Sequence, residues 1–324
     1  MEPYGILVLH KEKGMTSHTA VAKVKRLFGV KKAGHSGTLD PMATGVLPIL
    51  LGRAVKVSEY MIVGDKHYLA TMTLGIVTDT EDITGKVISE SPIRPTEEEV
   101  RAAAESFLGE SLQVPPMYSA IQVGGVRLMD LARQGKEIER EPRKIEIYAL
   151  KVEKIDENTY TLDVKCSKGT YIRTLCADIG AKLGCGATMS GLCRMEAGGF
   201  TLAQGVLLSD LEKMTMEERQ KLLYLPEDTV FACYPAYKLP PFYDGLVYRG
   251  LTVSESKLPP IPVDVGQWVR LYDKKGFFGL GRRRSYSDRY LEWESRGFEG
   301  PAPKDGGIVC EKVIRLDPPD KVNE

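Results

Sequence analysis

Two segments constrain the fold most: YGILVLH, residues 4–10, and GVLPILLG, residues 45–52. Each is a short, almost unbroken apolar run, and each reads as a strand buried in a sheet. Neither approaches the roughly 20 residues needed to span a bilayer. Between them, Thr16 or Ser17 caps a helix with Val21, Val24, Leu27 and Phe28 on one face and Gly29 as its stop. AVKVSEYMI, residues 54–62, reads as a helix, and HYLATMTLGIV, residues 67–77, as a further strand. Thr96 and Glu99 form a capping box for a helix running through Val100, Ala103, Ala104 and Phe107 towards Gly109. Strands follow at 145–154 and 159–166, then a helix from a Thr170 cap through Leu183, then a strand over 187–201. Strands and helices mixed without a regular βαβ alternation predict an α+β catalytic domain.

A chain of 324 residues suggests about two domains. The stretch 111–144 differs in character, with Pro115-Pro116, Gly124-Gly125 and Gly135 before a charged run ending in Arg140, Arg143 and Lys144. It reads as an excursion from the main sheet, partly a mobile loop. From about residue 226 prolines recur and short β-like runs such as QWVRLYD and GFFGLG appear, which predicts a small β-rich module. Within it, 281–309 is charged and rich in Gly and Pro, and reads either as a flexible insertion or as a ligand-facing edge of that module. The N-terminus lacks the pattern of a signal peptide, so a cytoplasmic protein is expected.

Formal net charge is zero, but it is unevenly spread. Residues 1–56 carry nine Lys/Arg against Glu2, Glu12 and Asp40, whereas residues 57–110 carry four against eleven Asp/Glu. A basic field beside an acidic segment suits a polyanion bound on one face, or an ordinary solvated helix. The six cysteines fit no zinc spacing, and the histidines form no HExxH or HxE motif. Free thiols are the expectation, and metal-assisted hydrolysis is poorly supported.

Two places carry chemistry. In AGHSGTLDP, Asp40 precedes Pro41 and is biased away from helix, so it projects from a loop, either as an Asx turn or as a reactive acid. His35 in the same run has the alternative of a satisfied structural histidine. In CSKGTYIRT, Arg173 falls in the first turn of the expected helix, where the macrodipole disfavours a cation. It therefore wants a carboxylate, either Asp40 or the nearer Asp178.

These blocks, with KHY, are where the chain resembles the TruB family of bacterial tRNA pseudouridine synthases. GILVLHKEKGMTSH, GHSGTLDPMATGVLPILLGRAVK, KHY, TLGIVTDTEDITG, VPPMYSAIQVGG, CSKGTYIRT and KLGCGA stand in the family's order over about residues 4–225. The resemblance implies a pseudouridine synthase-type mixed central sheet with flanking helices over 1–225, and a PUA-like RNA-binding module over 226–324. It also implies isomerisation of uridine 55 in the T-loop of tRNA. Its nucleophilic aspartate falls on Asp40, its active-site tyrosine on Tyr68 and its pairing arginine on Arg173. Positions that contact substrate fall on His35, Tyr171 and Leu192, and basic positions near the cleft on Lys11 and Lys56. Glu12 departs from the proline usual after that lysine.

The chemistry suits these residue types. The N1–C1′ bond breaks, the base turns, and C5 joins C1′; nothing is oxidised or hydrolysed overall, so no cofactor and no metal are expected. The uridine leaves its stack at a cost of a few kcal/mol and enters a pocket. A carboxylate then attacks carbon, with Arg173 orienting it and Tyr68 stacking on the base and helping to remove the C5 proton. Attack at C1′, attack at C6 and abstraction of a sugar proton are all compatible with one aspartate. The 111–144 excursion resembles the insertion that clasps the T-arm in stand-alone members. The expected partner is thus the tRNA T-arm, with no guide RNA, no membrane and no obligatory protein partner, for a monomer. The alternative is a tRNA-folding chaperone that does not depend on catalysis.

Overall fold

The computed structural model of the chain describes residues 2–62, 64–295, 297 and 301–315. The first apolar run is strand β1 (Gly5–Lys11), which is followed by helix α1 (Ser17–Leu27) and the short strand β2 (Ala33–His35). The second run is β3 (Thr44–Leu51), antiparallel to β1 from Gly5–Leu51 to Lys11–Gly45. Period-two alternation sends their side chains into two different cores. Leu7, Leu9, Leu47, Ile49 and Leu51 pack with α1, while Ile6, Val8, Val46 and Leu50 pack on the opposite face. Burial on both faces is why these strands read as continuous apolar runs.

The chain continues through α2 (Ser58–Ile62), β4 (Lys66–Leu74), the hairpin β5 (Ile76–Thr78) and β6 (Val87–Glu90), α3 (Glu97–Glu105) and β7 (Gly109–Gln113). The small hairpin β8 (Gln122–Val123) and β9 (Val126–Arg127) and helix α4 (Leu128–Arg133) form the excursion. Then come β10 (Arg143–Lys154), β11 (Thr159–Cys166), α5 (Ile172–Lys182), β12 (Ala187–Ala197), β13 (Phe200–Thr201), β14 (Val206–Leu207), α6 (Leu208–Lys213) and α7 (Met216–Lys221). The main sheet has ten strands in the order β14-β1-β3-β12-β4-β11-β10-β7, with β2 on β3 and β13 on β12. Only the β1–β14 and β3–β12 pairings are parallel, so the sheet is mixed, as expected for the α+β class.

Local sequence chemistry accounts for most boundaries. Thr16 accepts a hydrogen bond from the Thr19 amide and caps α1, and Thr96 with Glu99 closes the capping box of α3. Four expectations need correction. The strand over 67–77 is not continuous: β4 ends at Leu74, Gly75 takes φ +83°, and Ile76–Thr78 pairs instead with β6. Residues 54–62 are not one helix, because a 3-10 turn over Gly52–Val57 runs into α2. The strand over 187–201 is a hairpin, because Gly198 and Gly199 both take positive φ and turn β12 back into β13. Thr170 does not cap α5: its hydroxyl donates to the Ser167 carbonyl, and Tyr171 stands at the cap.

The C-terminal region builds a second sheet from β15 (Ala236–Lys238), β16 (Val253–Ser254), β17 (Trp268–Asp273), β18 (Gly276–Arg284) and β19 (Gly307–Val313), in the order β15-β17-β18-β19-β16. Helices α8 (Pro241–Tyr248) and α9 (Tyr286–Ser295) accompany it. One side buries Val247, Val269, Leu271, Phe278 and Ile308 in its own core. The other sends Phe277, Leu280 and Ile314 into the core behind β1 and β3. The 281–309 segment is not a loose basic insertion where it is described. Arg283 pairs with Glu255 and Arg284 with Glu311, and Arg282 lies over the Trp268 ring while donating to the Gly266 carbonyl. Residues 296 and 298–300 of that segment lie outside the described residues. No helix among the described residues is long and apolar enough to cross a membrane.

Phe231 is fully buried where the two sheets meet, against Tyr60, Tyr234 and Phe277. Phe231→Ala removes its ring from that joint core and should cost about 3–5 kcal/mol. In urea titrations the expected result is a lower midpoint with a single transition reporting both sheets; separate transitions would show that the two sheets fold independently.

Candidate active site

Asp40 lies between two strongly held stretches of backbone. On one side the Ser17 hydroxyl donates to the Leu39 carbonyl (3.0 Å) and accepts from the Leu39 amide (2.8 Å). On the other the Pro41 carbonyl accepts from the Gly14 amide at 2.8 Å and from Lys11 Nζ at 3.4 Å. The fully buried Arg194 side chain of β12 donates to the carbonyls of Val46 (2.8 Å), Thr38 (3.4 Å) and Gly37 (3.2 Å). Gly45 permits this contact. It has φ +104°, and a Cβ there would stand 2.2 Å from the Arg194 carbonyl oxygen. The loop is thus fixed by its backbone, and among the described residues the Asp40 carboxylate makes no hydrogen bond to its own turn. The Asx-turn reading therefore lacks the bond that defines it.

The acid faces α5. Arg173 Nη2 lies 3.6 Å from Asp40 Oδ2, and Arg173 is almost completely buried while the Asp40 side chain keeps 32% of its exposure. That leaves a carboxylate open to solvent on one side and braced by a guanidinium on the other. Asp178 is not the partner; a second acid, Asp82, stands 3.9 Å from Arg173 Nη1. Arg173 Nη2 also donates to the Tyr118 carbonyl at 2.7 Å, so it joins the base of the 111–144 excursion to the site. Gln113 at the end of β7 does the same for its neighbour: its amide donates to the Tyr171 carbonyl (3.0 Å) and accepts from the Tyr171 amide (2.8 Å). This side chain from a distant strand supplies the cap contact that Thr170 does not.

The remaining predicted residues divide. Tyr68 on β4 is buried directly across from Arg194 on β12. Burial pushes its phenol pKa up, opposed by Arg194, so it is a neutral hydroxyl here and not a ready base. Tyr171 lies beside Arg173, whose guanidinium sits 5.8 Å from its ring centre, and Leu192 is packed part-buried next to Cys193 and Arg194. His35 Nδ1 accepts from the Gly37 amide at 3.2 Å, and its ring meets His18 edge-on at 5.7 Å. Burial, followed by His18 and Arg194, lowers its pKa and favours the neutral imidazole. Lys11 is fully buried, with Nζ donating also to the carbonyls of Glu12 (3.0 Å) and Met15 (2.8 Å). Glu12 therefore enters the first turn through its backbone. Lys56 is elsewhere: its Nζ donates to the Val313 carbonyl at 2.8 Å, fastening β19 and not facing Asp40.

Arg194, Asp82, Tyr118 and Gln113 belong to this constellation and were not singled out from sequence. Arg194 had a signal, a lone arginine inside GLCRMEA, a stretch expected to be strand. Gln113 had none, because its partner is 58 residues away.

Two family models match in succession: TruB family pseudouridylate synthase (N terminal domain) over residues 25–172, and tRNA pseudouridylate synthase B C-terminal domain over residues 173–229. The chain is 41% identical to the tRNA pseudouridine synthase B of Alkaliphilus oremlandii over 291 residues, 89% of this chain and 96% of that one. To the protein of the same name from Clostridium novyi it is 43% identical over 282 residues, covering 87% and 96%. Among solved structures it is similar to a chain of a Cbf5-Nop10-Gar1 complex, with TM-score 0.66 and 26% identity over 97% of this chain and 85% of that one. It is equally similar to a chain of the archaeal box H/ACA sRNP Nop10-Cbf5 complex, with TM-score 0.65 and 26% identity over 98% and 88%.

The burial of Lys11 generates a pH signature. Desolvation pulls its ammonium from 10.5 down to about 8, with Asp40 opposing and Arg194 reinforcing the shift. From about pH 8 to 10.5 the unfolded chain therefore binds more protons than the folded one, and this residue's contribution to stability rises with pH. Relative to Lys11→Met, the wild type should gain up to about 3 kcal/mol across that window in urea unfolding. A pH-independent difference would show that the buried ammonium keeps an ordinary proton affinity.

Proposed function

Because the chain belongs to the TruB family of pseudouridylate synthases, we propose that it isomerises uridine 55 in the T-loop of tRNA to pseudouridine, with Asp40 as the nucleophile. The observation that carries this reading is the backbone-clamped loop. It presents one carboxylate without a side-chain hydrogen bond among the described residues, about a third exposed, against the buried Arg173 at 3.6 Å. A nucleophile of this kind needs an open face for substrate, a fixed position and a cation to orient it.

The target uridine leaves its stack and enters beside Asp40, between Tyr68, Tyr171 and Leu192. Tyr68 stacks on the base as a neutral phenol, and Tyr171 and Leu192 bound the pocket. His35 fills the loop from which the base departs. N1–C1′ cleavage and C5–C1′ formation leave the base with the same atoms, the C5 proton being exchanged for one on N1. No cofactor enters that balance. Asp40 joins the substrate and is released unchanged, while Arg173 holds it in position throughout.

The domain reading is a catalytic unit over 1–225 and a PUA-like RNA-binding module over 226–324, of which the residues after 315 lie outside the described ones. Beyond its base the excursion, residues 120–144, buries only Leu128 and exposes Lys136 together with Arg127 and Arg133, which share Asp130; an exposed basic tip suits a clasp on the T-arm phosphates. With its own clasp the enzyme works on tRNA as a cytoplasmic monomer, without guide RNA or an obligatory protein partner.

Asp40→Asn tests this directly. Pseudouridine formation should fall by at least about a thousandfold while tRNA affinity stays within about threefold. Retained isomerisation would remove Asp40 from the nucleophile role, and lost binding would make it an RNA contact instead. Affinity for tRNA should also drop steeply between 50 and 200 mM salt, as measured by filter binding, and a flat response would rule out a phosphate-dominated grip.

A further inference from the structure

Glu81 is the only non-glycine with positive φ among the described residues, at φ 63°. A glutamate pays a steric penalty there that glycine or asparagine largely avoids. Its carboxylate is directed inward, where Oε2 accepts a 2.5 Å hydrogen bond from the Thr174 hydroxyl. Thr174 is itself buried and follows Arg173 on α5. The next residue in the turn, Asp82, extends Oδ2 towards Arg173. Its other oxygen, Oδ1, is taken up by the Thr80 hydroxyl and by the Thr84 amide and hydroxyl. Consecutive residues of the turn therefore grip consecutive residues of α5, as two rungs of one ladder.

The turn is also hung from β12, since the Met189 amide donates to the Glu81 carbonyl (3.1 Å) and the Ile83 amide to the Met189 carbonyl (2.9 Å). These bonds, with the Thr78 hydroxyl donating to the Asp82 carbonyl at 2.7 Å, hold the backbone of the turn beside β12, and none of them reaches α5. The approach is set by Glu81, whose left-handed backbone turns the side chain to Thr174 while Asp82 reaches Arg173. We propose that Glu81 is a positioning residue for the isomerisation: through Thr174 it holds the turn against α5, so that Asp82 and Asp40 brace the Arg173 guanidinium from both sides. The proposal rests on the function assigned above and adds a residue that touches neither substrate nor Asp40.

Two amides one methylene apart separate this from a merely structural role. In E81N the side chain suits the left-handed backbone but is too short for Thr174, whereas E81Q keeps the reach and an acceptor oxygen. The expected result is that E81N lowers kcat about tenfold with KM for tRNA within about twofold, and that E81Q stays within about threefold of wild type. T174V should reproduce E81N, and the double variant T174V/E81N should be no worse than either single one. Thermal unfolding should place E81N no lower than E81Q. Equal turnover in the two amide variants, or a loss confined to KM, would overturn the proposal. So would a loss of activity that tracks Tm.

The Arg173 Nε–H signal in 15N NMR reads the same geometry without turnover. It should move in E81N and T174V and hold its position in E81Q; an unmoved signal in E81N overturns the proposal. If the wild type formed no pseudouridine, the functional assignment would fall, while this signal would still decide the role of Glu81.

Discussion

The buried guanidinium of Arg194 is the interaction on which the rest of the site depends. An unpaired charge in a protein interior is strongly disfavoured, and Arg194 is almost wholly excluded from water. Its compensation is three backbone carbonyls, two from the loop before Asp40 and one from β3. The requirement works in both directions. The arginine is tolerable only if the loop lies against β12, and the loop is held there by the same carbonyl bonds. The parallel pairing of Arg194 with Gly45 is the backbone half of the same contact, and it needs a glycine where the Cβ would collide.

That arrangement requires a sheet that does not yield, and the two-sided burial of β1 and β3 supplies it. On one face their side chains meet the helices; on the other they meet Phe231, Phe277, Leu280 and Ile314. The second sheet is thus part of the support of the first, and Lys56 contributes as a fastener of β19. A basic residue adjoining the block that carries the Asp40 loop can serve the joint and not the cleft, since the two lie at opposite ends of the same strand and turn.

Legibility in the sequence followed the range of the interactions. The Thr96 capping box, the Thr16 cap that stands as one of two candidates, and the apolar runs of β1 and β3 are local, because each signal and its consequence lie within a few residues; the runs over 67–77 and 187–201 are instead broken by glycines. The Thr170 cap was misread because a glutamine from β7 occupies the start of α5, a contact that no local pattern announces. The hairpin at Gly198-Gly199 is a local signal, two adjacent glycines free to take positive φ. At the site, helix electrostatics indicated that Arg173 needs an acid, and two acids were available on paper. The fold chose Asp40 and added Asp82, which lies 91 residues from Arg173 in the chain and is brought to it only by the turn's place beside α5. Arg194 was missed because a buried arginine is exceptional, and expectation assigns such a residue to the surface.

The charges explain how the cleft can be both buried and receptive. Lys11, Arg173 and Arg194 stand formally against Asp40, Asp82 and Glu81, so the floor of the site is close to neutral. A neutral floor gives little attraction to a polyanion, which leaves the long-range pull to the basic N-terminal face and the excursion. It also suits a substrate whose reacting part, a uracil ring, carries no charge while its backbone does. Under the proposed function attraction and chemistry are therefore separated in space, with phosphates drawn to the rim and one uncharged base passed to the interior. Within that interior Asp82 is buried with Oδ1 taken up by threonine donors, and Glu81 is bonded to Thr174. Among the described residues, Asp40 alone of the three makes no side-chain hydrogen bond and keeps a partly open side against Arg173.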